Sequence, residues 1–523
     1  MKPTETEIPG VLHRALGRID ALFDRVYSSR YNPLYQSGPT AVAMFLVLLI
    51  TGLYLLLFYR IGSPYASVGR IDAQVWSGRW VRSLHRFSSD AMIVAVAVHA
   101  ARMLLRGRSW GARSLAWLSG LVLTGIVVVI GFTGFVMVWD SHGQLLAEEG
   151  ARLLDAIPIF SEPVARAFTG ERSLPGAFFF LNYFLHIALP LGVGLVLYIH
   201  VARVARPRLL PPRALGWGLT AGLLVVAVVW PVPLAPESDP GLLLLEAPLD
   251  VFFGWWLPIT RELPAWLVWV VGAAAGIVAV TAPLWSRPRL GARPAPSRVD
   301  ERLCTGCEQC YVDCPYQAIS MAVRDDDRPT LVGRVDPALC VSCGICAGSC
   351  APMGVGPGGR DGRDQLARVR AFLDDVAVAD RELVVVACSH GAGGAAGRGS
   401  IGGAPVYGVD CAGNIHSSVV ELLVRGGTAG VLVVACPGRD CWNREGPRWT
   451  RERLFYGREA ELQDRVDRQR VRMEQFGLGE VAGTERAIAS FREHIRSLDR
   501  HEADSDLEVD AICVVDLAIG GDT

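Results

Sequence analysis

The chain has 523 residues, 51% of them apolar, and a formal net charge of −1. Nothing in so neutral a balance suggests a nucleic-acid partner, and the length leaves room for two or three domains. The apolar residues gather before residue 290 and all 13 cysteines lie after residue 300, so the two halves are different materials.

No apolar run precedes Ser37, so no cleavable signal peptide is expected and the N-terminus stays in the cytoplasm. Leu12, Leu16, Ile19, Phe23 and Val26 recur at helical spacing among charges, which predicts a short amphipathic helix on the membrane surface. Six stretches of roughly 20 nearly uncharged residues follow, each long enough to cross a hydrocarbon core of about 30 Å. They are 38–59, 82–105, 115–138, 183–203, 214–233 and 264–285. Arg102, Arg106, Arg108 and Arg113, then Arg203, Arg206, Arg208 and Arg213, then Arg287, Arg289, Arg293 and Arg298 fall in segments on the starting side, which the positive-inside rule makes cytoplasmic.

Four of the ten histidines lie in two of these spans: His85 and His99 in the second, His186 and His200 in the fourth, each pair 14 residues apart. Fourteen residues are close to four turns, so each pair faces one way with about 21 Å between its members. One intramembrane histidine reads equally well as a structural or proton-handling residue. Two matched pairs on facing helices instead clamp two flat cofactors, and haem with two imidazole ligands fits. Gly38 and Gly52, and Gly120 and Gly134, repeat the 14-residue spacing, where a missing side chain lets a porphyrin edge approach the backbone.

The stretches VRSLHRFSSDAMIVAVAVHAAR, GFTGFVMVWD and DAIPIFSEP closely resemble the cytochrome b of bc-type quinol-oxidising complexes, over roughly residues 10–285. The resemblance implies that His85 and His186 hold a haem b near the outer surface, that His99 and His200 hold one near the cytoplasm, and that Arg82 neutralises a haem propionate. It also makes a homodimer reasonable. Two departures stand out. Where that family has Pro-Glu-Trp-Tyr, this chain reads Phe253-Gly254-Trp255-Trp256, so the proton-accepting glutamate is missing, with Asp250 and Glu246 as substitutes to consider. Where chloroplast-type members attach an extra haem through cysteine stands Gln36, so no covalent haem is expected.

Beyond a Pro/Arg-rich linker at 286–298, Cys304, Cys307, Cys310 and Cys314 form a C-x2-C-x2-C-x3-C-P run, and Cys340, Cys343, Cys346 and Cys350 repeat the spacing with Ala351 before the proline. This is the pattern of bacterial two-cluster ferredoxins, in which the fourth cysteine of each run ligates the other cluster. Cys304, Cys307, Cys310 and Cys350 are expected to hold one [4Fe-4S] cluster, and Cys340, Cys343, Cys346 and Cys314 the second. Zinc suits paired C-x2-C motifs better than two complete runs.

From about 380, the apolar runs Leu383–Ala387, Pro405–Val409 and Val431–Ala435 alternate with helical stretches, which predicts a small α/β domain with a parallel sheet. Cys388, Cys411 and Cys436 each follow one of these runs, at the strand ends where sites form. With Cys441 they supply four sulfurs, enough for a [2Fe-2S] cluster, although buried inert cysteine is the simpler reading of each alone. VDCAGNIHSSVVELLVRGGTAGVLVVACPGRDCWNREG closely resembles the delta subunit of methyl-viologen-reducing hydrogenases, a [2Fe-2S] protein that passes electrons between a hydrogenase and a flavin-bearing heterodisulfide-reductase-type subunit. That family often has C-x2-C where this chain has Cys388-Ser389-His390-Gly391, which leaves His390 as an alternative ligand. Cys513 reads as a bystander, and 449–500 as a charged, solvated helical segment without chemistry.

The expected architecture is therefore multi-domain: an all-α six-helix transmembrane di-haem bundle (1–285), the linker, an α+β two-cluster ferredoxin domain (299–357), a small α/β [2Fe-2S] domain (380–500) and a tail (501–523). No glycine-rich dinucleotide fingerprint is present, the Gly-rich stretch at 391–403 having the wrong context, so two-electron chemistry belongs to a partner. The expected function is a membrane electron-transfer subunit in the cytoplasmic membrane of a prokaryote. It would link a cytoplasmic flavoprotein of heterodisulfide-reductase type, with a hydrogenase or another dehydrogenase, to the quinone pool. The alternatives are a redox-active anchor and relay without a quinone site, and a bc-type quinol oxidase working with a Rieske partner.

Overall fold

The computed structural model describes residues 10–158, 163–168, 176–202, 208–239, 250–286, 295–326, 328–377, 382–392 and 399–499. Glu246, Cys513, the tail at 501–523, most of the linker and residues 393–398 of the Gly-rich stretch lie outside them. The described residues form two compact units, 33–286 and 10–32 with 295–499.

The chain opens with α1 (Gly10–Tyr31), part of the second unit. Ile19 and Val26 of its expected apolar stripe are exposed, whereas Leu16, Asp20 and Asp24 are buried, and Asn32 Nδ2 donates to Asp24 Oδ1 at 2.8 Å.

The first unit runs α2 (Ser37–Phe58), α3 (Pro64–Ala73), α4 (Gly78–Leu105), α5 (Ser114–Val138), α6 (Ser141–Asp155), α7 (Gly176–Val201), α8 (Arg213–Val229), α9 (Leu257–Glu262), α10 (Ala265–Val280) and α11 (Ala282–Trp285). Among the described residues four helices, α2, α4, α5 and α7, are long and apolar enough to cross a membrane; α8 and α10 are apolar but shorter, at 17 and 16 residues. The differences from the expected spans have local causes. Pro231 and Pro233 cannot donate to a continuing helix, so α8 stops at Val229, and Pro283 in the first turn of α11 separates that turn from α10. The second and fourth spans start earlier than expected, at Gly78 and Gly176.

Large side chains such as Leu53, Leu57, Leu191 and Leu195 point outward, while Met44, Met92 and Val127 fill the interior. An apolar exterior on helices of this length is the pattern lipid requires. α2 lies along α4, and α5 lies along α7.

In the second unit β1 (Arg298–Val299) pairs antiparallel with β4 (Val355–Gly356), and β2 (Ile319–Ala322) with β3 (Val332–Val335). The short helices α12 (Gln309–Asp313) and α13 (Ile345–Gly348) complete two similar halves. Every element of the first cysteine run recurs 36 residues later, down to backbone handedness: Gly306 and Ser342 have φ of 78° and 59°, and Glu308 and Gly344 have 64° and 75°. At Gly306 a side chain would also meet the Leu331 carbonyl oxygen at 2.7 Å, so this tight turn needs glycine.

α14 (Gly362–Asp375) begins on a capping box, Asp361 accepting from Asp364 N at 2.8 Å. It leads into a five-stranded sheet of order β6-β7-β5-β8-β9, formed by β5 (Leu383–Cys388), β6 (Ser400–Ile401), β7 (Ala404–Val409), β8 (Gly430–Ala435) and β9 (Val471–Gln475). β7, β5, β8 and β9 are mutually parallel. Val384, Val386, Val431 and Val433 face α14 and α15 (Ser417–Arg425). Leu383, Val385, Leu432 and Val434 face Ile488, Phe491 and Ile495 of a helix over 481–499. Burial on both faces explains why these strands read as unbroken apolar runs.

The reading of 449–500 as a solvated helical face is corrected. It contributes β9 to the sheet and a helix to its core, and α16 (Gly446–Phe455) buries Trp449, Thr450, Arg453 and Leu454. Val471 and Met473 alternate with charged residues because an edge strand needs only one apolar face.

Candidate cofactor sites

His85 and His99 project from α4 towards His186 and His200 of α7. The His85 and His186 ring centres lie 6.4 Å apart, and those of His99 and His200 also lie 6.4 Å apart. A gap of that size holds two metal–imidazole bonds of about 2 Å each, and the four rings fit two flat bis-imidazole cofactors.

What sits over each glycine is the imidazole itself. A Cβ at Gly38 would lie 3.0 Å from the His99 ring, at Gly52 3.3 Å from His85, at Gly120 3.1 Å from His200 and at Gly134 2.8 Å from His186. The glycine helices α2 and α5 thus press against the backs of the histidine helices, holding the rings turned inward.

A second set of residues escaped the sequence reading. Ser37, Thr51, Ser119 and Thr133 each immediately precede one of those glycines, so a hydroxyl-glycine dipeptide recurs at the 14-residue spacing. Thr51 Oγ1 donates to Val47 O at 2.7 Å and lies 2.8 Å from His85 Nδ1. Ser119 Oγ donates to Leu115 O at 2.7 Å and lies 3.2 Å from His200 Nδ1. His186 Nδ1 lies 3.2 Å from Thr133 Oγ1 and donates to Ile130 O at 3.0 Å. A carbonyl only accepts, and a hydroxyl whose proton is already committed accepts as well, so these rings carry their proton on Nδ1 and present the Nε2 lone pair to the gap. Ser37 donates to Leu34 O at 3.0 Å. Thr51→Val, which keeps the shape but removes the hydroxyl that accepts at Nδ1, is expected to weaken haem binding at that pair about 10–100-fold, measured by titrating haem into apoprotein.

The Arg82 side chain is 12% exposed and donates twice to one carboxylate oxygen of Asp72 on α3, from Nη2 to Oδ1 at 2.7 Å and from Nε to Oδ1 at 3.0 Å, while also donating to Val232 O. Its charge is therefore held at the end of α4 that carries His85.

At the position of the missing glutamate the structure is full of rings. Phe253 meets Phe135 at 5.4 Å and Phe132 at 6.4 Å, and Phe252 occupies the space that a Gly131 side chain would need, 2.7 Å from its Cβ position. Asp250 is committed as a cap: its carboxylate accepts from the amides of Phe252, Phe253 and Gly254 at 2.6, 2.8 and 2.9 Å.

In the second unit, one cavity is lined by Cys304, Cys307, Cys310 and Cys350, and another by Cys314, Cys340, Cys343 and Cys346. The last cysteine of each run thus turns into the cavity of the other run, because a short helix, α12 or α13, carries the chain across between the third and fourth cysteines. Backbone amides point at the sulfurs: Ala318 N to Cys314 Sγ at 3.3 Å, Gly354 N to Cys350 Sγ at 3.2 Å and Ser297 N to Cys340 Sγ at 3.4 Å. Burial pushes the Cys346 thiol up to about 12, and burial, then the neighbouring Cys346 and Cys350, push Cys310 up as well. Thiols so reluctant to ionise alone are suited to a shared cation, which replaces their protons. Among the described residues no three His, Cys, Asp or Glu side chains gather at single-ion distance; a cluster, whose irons sit on separate corners, asks for sulfurs spread around a cavity.

Cys411, Cys388 and Cys436 stand just past or at the carboxyl ends of the adjacent parallel strands β7, β5 and β8, and Cys441 joins them from the following loop. All four are buried. A hydrogen bond from Cys436 brings the Cys388 thiol down to about 7, while sharing with Cys388 and Cys441 pushes Cys436 well up. Four buried sulfurs at one edge of the sheet also fit an iron–sulfur group. His390 stacks on Trp442 at 4.7 Å between ring centres, 15° from parallel.

Three stretches match family models. Residues 22–207 match cytochrome b/b6 (petB), 303–354 a 4Fe-4S dicluster domain, and 365–499 the delta subunit of methyl-viologen-reducing hydrogenase. A solved structure described as a hyperthermophilic respiratory Complex III matches 53% of this chain and 82% of its own at 15% identity, with a TM-score of 0.37. Segment by segment, the chain is a fusion of a cytochrome b/b6-type membrane region, a 4Fe-4S dicluster region and a hydrogenase delta-subunit-type α/β region.

Proposed function

We propose that this chain is the membrane electron-transfer subunit of a quinone-linked oxidoreductase, exchanging electrons between a cytoplasmic flavoprotein of heterodisulfide-reductase type and the quinone pool. The observation that carries the reading is the presence, in one chain, of two histidine pairs with rings 6.4 Å apart and three four-cysteine sets. Haem b and iron–sulfur clusters, when bound, supply one-electron chemistry. The residues decide where they sit: His85 with His186, and His99 with His200, for two haems; Cys304, Cys307, Cys310 and Cys350, and Cys314, Cys340, Cys343 and Cys346, for two [4Fe-4S] clusters; Cys388, Cys411, Cys436 and Cys441 for a [2Fe-2S] cluster.

In this reading α8 and α10 complete six spans, and the N-terminus and the cysteine-bearing unit face the cytoplasm, on the side marked by the arginine-rich loops. Arg82 offers its guanidinium to a propionate of the outer haem. The ring-filled region around Phe252 and Phe253, with Asp250 committed as a cap, argues against proton-coupled quinol oxidation at the outer face. In this reading quinone exchange lies near the cytoplasmic pair.

The test starts from purified protein reduced anaerobically and freed of reductant, to which a water-soluble quinone is added while the haem band is followed. Rapid, saturable reoxidation is expected. Haems that stay reduced in protein with intact clusters would sink the quinone site and leave a membrane relay.

A further inference from the structure

Arg453 has no role in the reading above, yet it is among the most buried side chains of the protein, 1% exposed. It lies on α16, where the turn after Cys411 meets α13 of the second cysteine run. Its Nη1 donates to Ser349 Oγ at 2.9 Å, and its Nη2 to Gly413 O at 2.8 Å and Ile415 O at 3.3 Å. The same guanidinium therefore ties the dicluster segment to the delta-type segment.

The seam it crosses is closed to any larger residue. A Cβ at Gly413 would lie 2.7 Å from Ile345 Cγ1 and 2.6 Å from Gly446 Cα, and one at Gly348 would lie 2.5 Å from Gly413 O. Asn414 Nδ2 donates across it to Gly344 O at 3.0 Å. As a result Cys343 of one set and Cys411 of another pack into one apolar cluster with Ile345 and Trp449.

The charges here do not cancel. Asp313, also 1% exposed, is shared by Arg458, which donates to its Oδ1, and Arg453, 3.9 Å from its Oδ2, while Ser349 Oγ donates to it at 2.7 Å. Two guanidiniums against one carboxylate leave one net positive charge. Arg453 Nε has no hydrogen-bond partner among the described residues. A buried surplus cation is costly unless something anionic offsets it, and iron–sulfur groups held by four thiolates gain negative charge on reduction.

We propose that Arg453 is a positioning residue that holds the Cys411 and Cys343 sets side by side and keeps a positive charge where one electron crosses between them. This rests on the reading that both sets hold iron–sulfur clusters. In the crossing one centre is oxidised and the other reduced by one electron, with no proton moved and no bond broken. It makes the cavity of Cys314, Cys340, Cys343 and Cys346, rather than that of Cys304, Cys307, Cys310 and Cys350, the neighbour of the Cys411 set.

The test uses the full-length protein with its clusters, comparing wild type with Arg453→Gln and Arg453→Lys by iron and sulfide content and by potentiometric titration followed with electron paramagnetic resonance. In Arg453→Gln the two centres flanking the seam are expected to become at least tenfold harder to reduce, about 59 mV for a one-electron centre. Arg453→Lys, which keeps the charge, should move them less. Iron-complete Arg453→Gln with unchanged potentials would overturn the proposal. If that variant does not fold, Arg458→Gln carries the test: lowered potentials at the same two centres support it, and unchanged ones overturn it. Wild-type protein lacking iron in either set would instead defeat the cluster reading itself.

Discussion

His186→Leu is expected to halve the haem content of the purified protein and to remove one of two steps from its optical redox titration. The reasoning is geometric. His186 faces His85, and His200 faces His99, the two pairs being separated along the helices by about four turns. Losing one imidazole leaves the other ring of that pair without a counterpart, while the distant pair keeps both its ligands and the hydroxyl that orients His200. His200→Leu should remove the other step, and the double variant should purify without haem. Unchanged haem in either single variant, counted as pyridine haemochrome per polypeptide, would show that the pairs are not the ligands.

A comparably large effect is expected from the fourth cysteine of each run, and it should appear in an unexpected place. Cys314→Ala should cost about four irons, and the lost centre should be that of Cys340, Cys343 and Cys346, because Cys314 lines their cavity and not that of its own run. Cys350→Ala should damage the centre of Cys304, Cys307 and Cys310. Iron analysis combined with electron paramagnetic resonance of Cys310→Ala and Cys343→Ala as references identifies which centre is gone. If Cys314→Ala and Cys310→Ala lose the same signal, the crossed arrangement is wrong.

Much of this was legible in the chain itself. Histidines 14 apart face one way because helix pitch makes them do so, and a cysteine run repeated after 36 residues calls for two equivalent cages wherever the surrounding chain goes. The three inner strands were legible as apolar runs because both faces of the sheet are covered. The hydroxyls at 37, 51, 119 and 133 were also present in the string, in step with the glycines, but serine and threonine are common in membrane helices and only the contacts of Thr51, Ser119 and Thr133 with Nδ1 single those three out.

Other features had no signal along the chain. Nothing in VRMEQ distinguishes an edge strand from a solvated turn until β8 is beside it, since one buried face leaves half its residues free to be charged. Arg453 and Asp313 sit 140 positions apart among charged neighbours, and a charge run reads as solvent-facing by default. Local chemistry, ligand type and helical or strand period, thus singled out the residues suited to cofactors. Only the tertiary structure decided which charges are buried and which cysteine set adjoins which, because burial and adjacency depend on what distant segments bring to the same place.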